Sequence, residues 1–285
     1  MKTAIVTDSN SGISPQMASD MGIRVIPMPF MIDDEVFYEN INLTREEFYQ
    51  RQAEGAKIAT SQPSPETVVK LWEELLEEYD EVVHIPMSSG LSGSCQTASM
   101  LAQDFPGRVF VVDNQRISVT MKRSVQDAVE MAGTGVRAEQ IKETLERVKM
   151  ESSIYITLDT LKYLKQGGRI TPAAAAVGSL LRIKPVLKIK GERLDAFSKA
   201  RTMAHGRSVM ISAMKHDIET LYGGTQEETC WLYAVQGNMP DQFPSFAEEV
   251  RHAFPGFRVG EDYLSLSVAC HIGPGALAIA CSRKI

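Results

Sequence analysis

Short apolar runs alternate along the first half of the chain with segments whose apolar residues recur at helical spacing. Ala4-Ile5-Val6-Thr7 is an apolar run closed by the polar stretch Asp8-Ser9-Asn10-Ser11-Gly12, the pattern of a buried strand and its loop. Ser14-Pro15 then opens a helix through Met21, with Ser14 as N-cap, Pro15 at the first helical position and Gly22 as the C-terminal cap. Arg24–Ile32 reads as extended, Asp33-Asp34 as a turn, and Val36-Phe37-Tyr38 as the returning strand of a hairpin. Thr44-Arg45-Glu46-Glu47 has the form of a capping box and starts a helix to about Gln52. Pro65-Glu66 opens an amphipathic helix through Leu76 and Tyr79, which leads into a strand at Val82–Ile85. A further strand at Val109–Asp113 precedes helices near Ser118–Ala132 and Val136–Met150, the second with Ile141, Leu145 and Val148 on one face.

From Ser152 the pattern changes. A strand at Ile154–Asp159 is followed by a short helix, Leu161–Lys165, ending at Gly167-Gly168-Arg169, and then by a small-residue helix over Ala173–Leu181. Lys184–Glu192 reads as a hairpin turning at Gly191, Thr202–Tyr222 as a long helix, Cys230–Val235 as a strand and Gln242–Phe254 as a helix. Tyr263–Val268 and Ala276–Ala280 read as closing strands around the Gly273-Pro274-Gly275 turn. The fold class is α/β, with two α/β domains. Residues 1–150 form an N-terminal parallel-sheet domain carrying a small hairpin-containing insertion near 24–58, and residues 151–285 a C-terminal mixed-sheet domain. Strands alternating with helices imply right-handed crossovers and ligands at the carboxyl ends of strands. Asp8-Ser9 and the loop Ser88–Ser94 both fall at such ends.

Composition narrows the class of function. The 285 residues are 44% hydrophobic and 23% charged, ordinary for a soluble globular protein. A net charge of −6 argues against a general nucleic-acid binder. Cys95, Cys230, Cys270 and Cys281 show no CxxC spacing, so neither zinc nor a redox pair is signalled, and isolated thiols fit a reducing cytoplasm. The opening Met1–Asp8 has too short an apolar run for a signal peptide. Tyr263–Ser282 lacks Asp, Glu, Lys and Arg over a length that could span a bilayer, but His271, the Gly-Pro-Gly break and several serines make it buried core instead.

No GxSxG, Walker, HExxH or GxGxxG motif is present, which leaves the usual hydrolase, nucleotide and zinc chemistries without support. The helical carboxylates Glu73-Glu74 and Glu77-Glu78 fit a solvated face. Ser88-Ser89-Gly90-Leu91-Ser92-Gly93-Ser94 follows the apolar run Val82–Met87 and precedes a helix from Cys95. Glycines allow close backbone approach, and a helix N-terminus with hydroxyl donors suits a carboxylate or phosphate. Taken singly, this stretch is a helix cap, Thr60-Ser61 is another, Arg169 is a surface arginine and His271 is a hydrogen-bonded core histidine.

Together they form a series. Thr60-Ser61-Gln62-Pro63-Ser64, Ser88-Ser89-Gly90-Leu91-Ser92-Gly93, Gly167-Gly168-Arg169-Ile170, Lys184-Pro185-Val186-Leu187 and His271-Ile272-Gly273-Pro274-Gly275 occur in this order, as in the DegV family of bacterial fatty-acid-binding proteins. The chain resembles that family from Ile5-Val6-Thr7-Asp8-Ser9 to the closing His-x-Gly-Pro-Gly turn. The resemblance implies a long-chain fatty acid buried between two α/β domains. By motif, Thr60 and Ser92 hydrogen-bond its carboxylate, Arg169 and His271 complete the polar network, and Ser61, Ser88 and Ser89 are further candidates. It also implies a non-enzymatic carrier without metal or cofactor, which presents the lipid to a separate ATP-dependent fatty acid kinase that forms the acyl phosphate.

The chemistry of such a ligand is consistent with these residues. Burying ~15 methylenes yields on the order of 12 kcal/mol before ordering losses. The tunnel walls need only be apolar, and the strands and the Ala173–Leu181 helix could supply them. A buried carboxylate needs donors or a cation, or it takes up a proton. One stretch departs from the family. After Lys199-Ala200-Arg201-Thr202, where family carriers often continue with basic residues, this chain reads Met203-Ala204-His205-Gly206-Arg207. Arg201 and Arg207 are left to meet a kinase or, transiently, an anionic membrane surface. Two other readings stand beside the carrier: an enzyme in which His271 bonds covalently to a small carbonyl substrate, and a binder of a phosphorylated metabolite at Ser88–Ser94. Both require a compact polar pocket in place of a long apolar tunnel.

Overall fold

The computed structural model describes every residue except 172–182, 192 and 225–227. The described residues fall into two compact units, one of residues 1–149 with 265–267, the other of residues 150–264 with 268–285. The helix expected over Ala173–Leu181 lies outside the described residues.

The first unit is built on a parallel sheet in the order β2 (Arg24–Ile26), β1 (Thr3–Asp8), β6 (Glu81–Ile85), β7 (Val109–Val111). Side chains alternate across a strand, so each strand supplies two cores. Ile5, Val83 and Ile85 pack with residues of α1 (Pro15–Met21), α5 (Ser118–Gly133) and α6 (Ala138–Arg147). Ala4, Val6 and Val82 pack with α3 (Pro65–Leu75) and α4 (Ser94–Leu101). Trp72 of α3 is fully buried, edge-on to His84 and Phe105 at ring-centroid distances of 5.6 and 5.8 Å. Burying a side chain of that size removes roughly 200 Å² from water, about 5 kcal/mol of transfer free energy.

The helix starts follow their caps. Ser14 Oγ accepts from Met17 N, Ser64 Oγ accepts from Thr67 N, and Thr44 with Glu47 forms a reciprocal capping box on α2 (Arg45–Ala53). The extended run Arg24–Ile32 is two strands. Pro27 and Pro29 cannot donate to a ladder, and Met28 N goes to Ser9 Oγ at 3.0 Å. Beyond them β3 (Phe30–Ile32) joins β4 (Glu35–Phe37) and β5 (Ile58–Thr60) in a separate antiparallel sheet, order β4-β3-β5.

The second unit carries a six-stranded mixed sheet. Its order is β10 (Arg193–Ala200), β9 (Lys184–Lys190), β8 (Ser152–Leu158), β13 (Ala276–Arg283), β11 (Cys230–Gly237), β12 (Val259–Tyr263). Only β11 and β12 pair in parallel, joined through α9 (Phe243–Ala253). One sheet face, with Tyr155, Val186, Leu277 and Ile279, packs on α9 and on α8 (Met203–Leu221) through Met210, Met214, Phe246 and Val250. Ile154, Ile156, Leu158, Leu187, Ala278 and Ala280 lie on the opposite face and are also buried.

One strand expected from the sequence is a helix. Tyr263–Val268 alternates apolar and hydroxyl residues and reads as extended, yet β12 stops at Tyr263 and α10 runs from Leu266 to Ile272. Glu39 decides the matter. Its Oε2 accepts from Leu266 N at 2.8 Å, which puts a carboxylate on the first helical amide. A partner 227 positions away in the chain overrides the local period.

Candidate functional site

In the first unit the strand order reverses between β1 and β6. The crevice outside the carboxyl ends at such a switch point is where open α/β sheets bind ligands. Asp8 ends β1 there. Its Oδ2 accepts from Met87 N at 2.8 Å, and its Oδ1 from Asn10 N and Nδ2 at 2.9 and 2.7 Å. Burial pushes the Asp8 carboxyl above its usual range, with these hydrogen bonds opposing. Asn10 Oδ1 accepts in turn from Ser267 Oγ at 2.8 Å. That bond and the Glu39 cap tie residues 265–267 to the first unit.

The Ser88–Ser94 loop continues from β6. Ser88 is fully buried: its N–H donates to Arg116 O at 3.1 Å and its Oγ accepts from Gly90 N at 3.3 Å. The hydroxyl of Ser89 donates to Asp113 Oδ2 at 2.6 Å, and its N–H to Asp113 Oδ1 at 3.2 Å. Ser92, half-buried, accepts from Ser94 N at 3.2 Å, which leaves its own O–H to donate. A hydroxyl is one donor and two acceptors, so the four serines are not equivalent.

Thr60 is the last residue of β5, opposite Phe30, and is half-buried. Ser61 is exposed and donates its N–H to Pro29 O at 3.0 Å. Gln62 joins this turn to α4: its Oε1 accepts from Thr97 Oγ1 at 3.2 Å and lies 3.4 Å from where a Cβ on Gly93 would sit. The two hydroxyl motifs of the first unit are therefore neighbours.

The other three motifs meet in the second unit. His271, near the end of α10, packs against Gly167, the last residue of α7 (Lys162–Gly167). A Cβ on Gly167 would lie 2.2 Å from His271 Nδ1. Arg169 Nη1 donates to Gly167 O, so the guanidinium holds the carbonyl of the same glycine whose α-carbon faces the imidazole. Burial, then the Arg169 cation, lowers the His271 pKa to about 4, and the imidazole is neutral at pH 7. Gly273, at φ +80°, has the Tyr163 ring where a side chain would go, and Gly275 lies against Asp159, whose N–H donates to Gly275 O at 3.0 Å. Asp159 is also ion-paired to Lys184 of the Lys-Pro-Val-Leu run.

The model of the family described as "Uncharacterised protein, DegV family" matches residues 2–284. The chain belongs to the DegV family. A DegV domain-containing protein of Deinococcus radiodurans is 31% identical over 281 residues, 98% of each chain. Among solved structures, a DegV family protein of Thermus thermophilus, described by its fatty acid binding, matches with a TM-score of 0.90 at 32% identity over 100% of both chains. DegV of Bacillus subtilis, described as a fatty acid binding protein, matches with a TM-score of 0.87 at 28% identity, again over both whole chains.

Of the two basic residues singled out in this DegV chain, Arg201 is exposed. Arg207 is ion-paired with Glu249 at 3.1 Å, its side chain 16% exposed. Among the described residues no helix is long and apolar enough to cross a membrane, and no group of His, Cys, Asp or Glu is placed to hold a metal. Sequence reading missed Asp113, which takes both Ser89 donors. Its position just past β7, at a strand's carboxyl end, was the available signal.

Proposed function

We propose that this chain binds a long-chain fatty acid and presents its carboxylate to a separate ATP-dependent kinase that makes the acyl phosphate. The observation that carries this reading is the likeness over the whole chain to the Thermus thermophilus protein described by its fatty acid binding. Carboxylate recognition is assigned to the hydroxyls of Thr60 and Ser92 and to His271 and Arg169. The uncommitted O–H of Ser92 supports its part, and the neutral imidazole beside a guanidinium supports that of the second pair. Neutral His271 donates one N–H to an anion without adding the desolvation cost of a second buried charge. Ser61 and Ser88 are lesser members of the set: Ser61 is exposed, and Ser88 Oγ already accepts from Gly90 N.

The acyl chain needs apolar walls. The buried sheet face of Ile154, Ile156, Leu158, Leu187, Ala278 and Ala280 offers one within the second unit, its alanines leaving room for methylenes. About 12 kcal/mol of gross transfer free energy covers the losses of translation and ordering. No group in this set activates a carboxylate, so phosphoryl transfer falls to the partner. Exposed Arg201 is the residue proposed to meet that kinase or an anionic membrane surface, since Arg207 is engaged by Glu249. All four cysteines are buried free thiols, in keeping with a cytoplasmic protein.

Thermal unfolding against palmitate tests the reading. A ligand at 100 times its Kd stabilises the folded chain by about 2.7 kcal/mol, so the melting temperature rises with palmitate concentration. No rise, in chain first stripped of endogenous lipid, overturns it.

A further inference from the structure

We infer that Asp113 is a positioning residue for carboxylate recognition, setting the Ser88–Ser94 loop so that Ser92 can donate; this rests on the fatty-acid reading above. Ser89 has two hydrogen-bond donors, N–H and O–H, and both end on the two oxygens of the Asp113 carboxylate, at 3.2 and 2.6 Å. A charge-assisted pair of this kind fixes geometry as well as adding energy. With its one hydroxyl proton committed, Ser89 has no donor left for an anionic ligand. It belongs to the clamp, and Ser92 to the ligand.

Asp113 is itself held. Its N–H donates to Glu146 Oε1 at 3.1 Å, and Lys142 Nζ bonds both Glu146 Oε1 and Val111 O at 2.5 Å. Lys142 and Glu146 lie one turn apart on α6, so the clamp is anchored to a helix packed on the sheet. On the loop side, Ser88 O accepts from both Leu91 N and Ser92 N, at 3.0 and 3.1 Å. Ser92 is thus tied by one turn of backbone to the residue preceding the clamped Ser89. Releasing Ser89 frees that turn and with it the direction of the Ser92 O–H.

Two measurements test this. Palmitate and its methyl ester are titrated into the full chain and into Asp113→Ala, Asp113→Asn, Ser89→Ala and Ser89→Thr. Asp113→Ala and Ser89→Ala should each weaken palmitate binding about tenfold, one lost charged hydrogen bond's worth, and leave the ester unchanged. Ser89→Thr, which keeps both donors, should bind palmitate as the parent does, and the Asp113→Ala/Ser89→Ala double variant should lose no more than Asp113→Ala alone. Equal losses for acid and ester, or additive losses, would overturn the proposal. Asp113→Asn keeps the shape should the alanine variant fold poorly. Hydrogen exchange of the residue 88–94 amides, read without any ligand, should speed up about tenfold in Asp113→Ala; unchanged exchange overturns the clamp even where palmitate binds. A parent chain that binds neither lipid while its loop still loosens on Asp113→Ala sinks the fatty-acid reading and the recognition role resting on it, and leaves the clamp alone standing.

Discussion

Replacing Gly167 by alanine sets two effects of known sign against each other. Gly167 is the last residue of α7, its φ is not in the left-handed region, and helix propensity alone favours alanine by about 1 kcal/mol. The added Cβ, however, would stand 2.2 Å from His271 Nδ1, 3.1 Å from Cε1 and 3.3 Å from Cγ. Ordinary contact is about 3.5 Å or more, so the imidazole must move by more than an ångström. It is flanked by the turn Gly273-Pro274-Gly275, which Tyr163 and Asp159 hold by contacts of their own. Overpacking of this kind costs about 1–3 kcal/mol, which outweighs the propensity gain. The expected net loss is about 1 kcal/mol, a few degrees in melting temperature at 2–4 °C per kcal/mol. Palmitate affinity should fall about tenfold as His271 leaves its place. Differential scanning calorimetry with a palmitate titration reads both quantities. The Gly167→Ala/His271→Ala pair decides the cause: with the ring gone the clash goes, and Gly167→Ala should then stabilise. If Gly167→Ala is as stable as the parent and binds palmitate equally well, the reasoning from the Gly167–His271 contact is wrong.

Ser92→Ala and Thr60→Ala should each weaken palmitate binding about tenfold. Their melting temperatures without ligand should stay close to the parent's, and a large drop in both would make the two hydroxyls structural caps. Arg169→Ala removes an exposed cation, so it should lower affinity without lowering stability; an NMR titration should show the His271 pKa rising from about 4, since the second cause of its depression is gone. An unmoved His271 titration would separate the two side chains. Stability should fall between pH 6.5 and 4.5: His84, whose pKa burial lowers to about 3, and His271, lowered to about 4, bind protons more readily unfolded than folded. The sign follows from linkage: their contribution is whole above pH 6.5 and is lost as pH drops towards the folded values, at up to about 3 kcal/mol for His271. Asp8, which burial holds above its usual range, acts in the opposite sense. Urea midpoints that stay flat from pH 6.5 to 4.5 would count against the buried neutral imidazoles.

Much of the fold was legible because its cues are local. Ser14 and the Thr44/Glu47 pair cap the helices that they were expected to cap, whereas α3 is capped by Ser64, where Thr60-Ser61 read as the cap. Gly191, at φ +73°, turns the hairpin between β9 and β10. A misreading arose where a distant group decides: Leu266 is helical because Glu39 caps it. The extended run Arg24–Ile32 holds two strands, with Met28 N bonded to Ser9 instead of a ladder partner. The candidate site shows the same division. Hydroxyl, glycine and histidine motifs could be read as types, but which hydroxyl donates to what depends on Asp113, Gln62 and Asn10, and no spacing along the chain encodes those contacts. Gly167 is the sharpest case: in sequence it is a helix end, in the fold it is the surface on which His271 rests.

Mass spectrometry of an organic extract from the purified chain bears most directly on the proposed role. A near-stoichiometric long-chain fatty acid, released from the parent and depleted in Ser92→Ala, is the expected result, and it would give the chain-length preference at once. An extract without fatty acid, from a chain whose melting temperature palmitate does not raise, would contradict lipid binding.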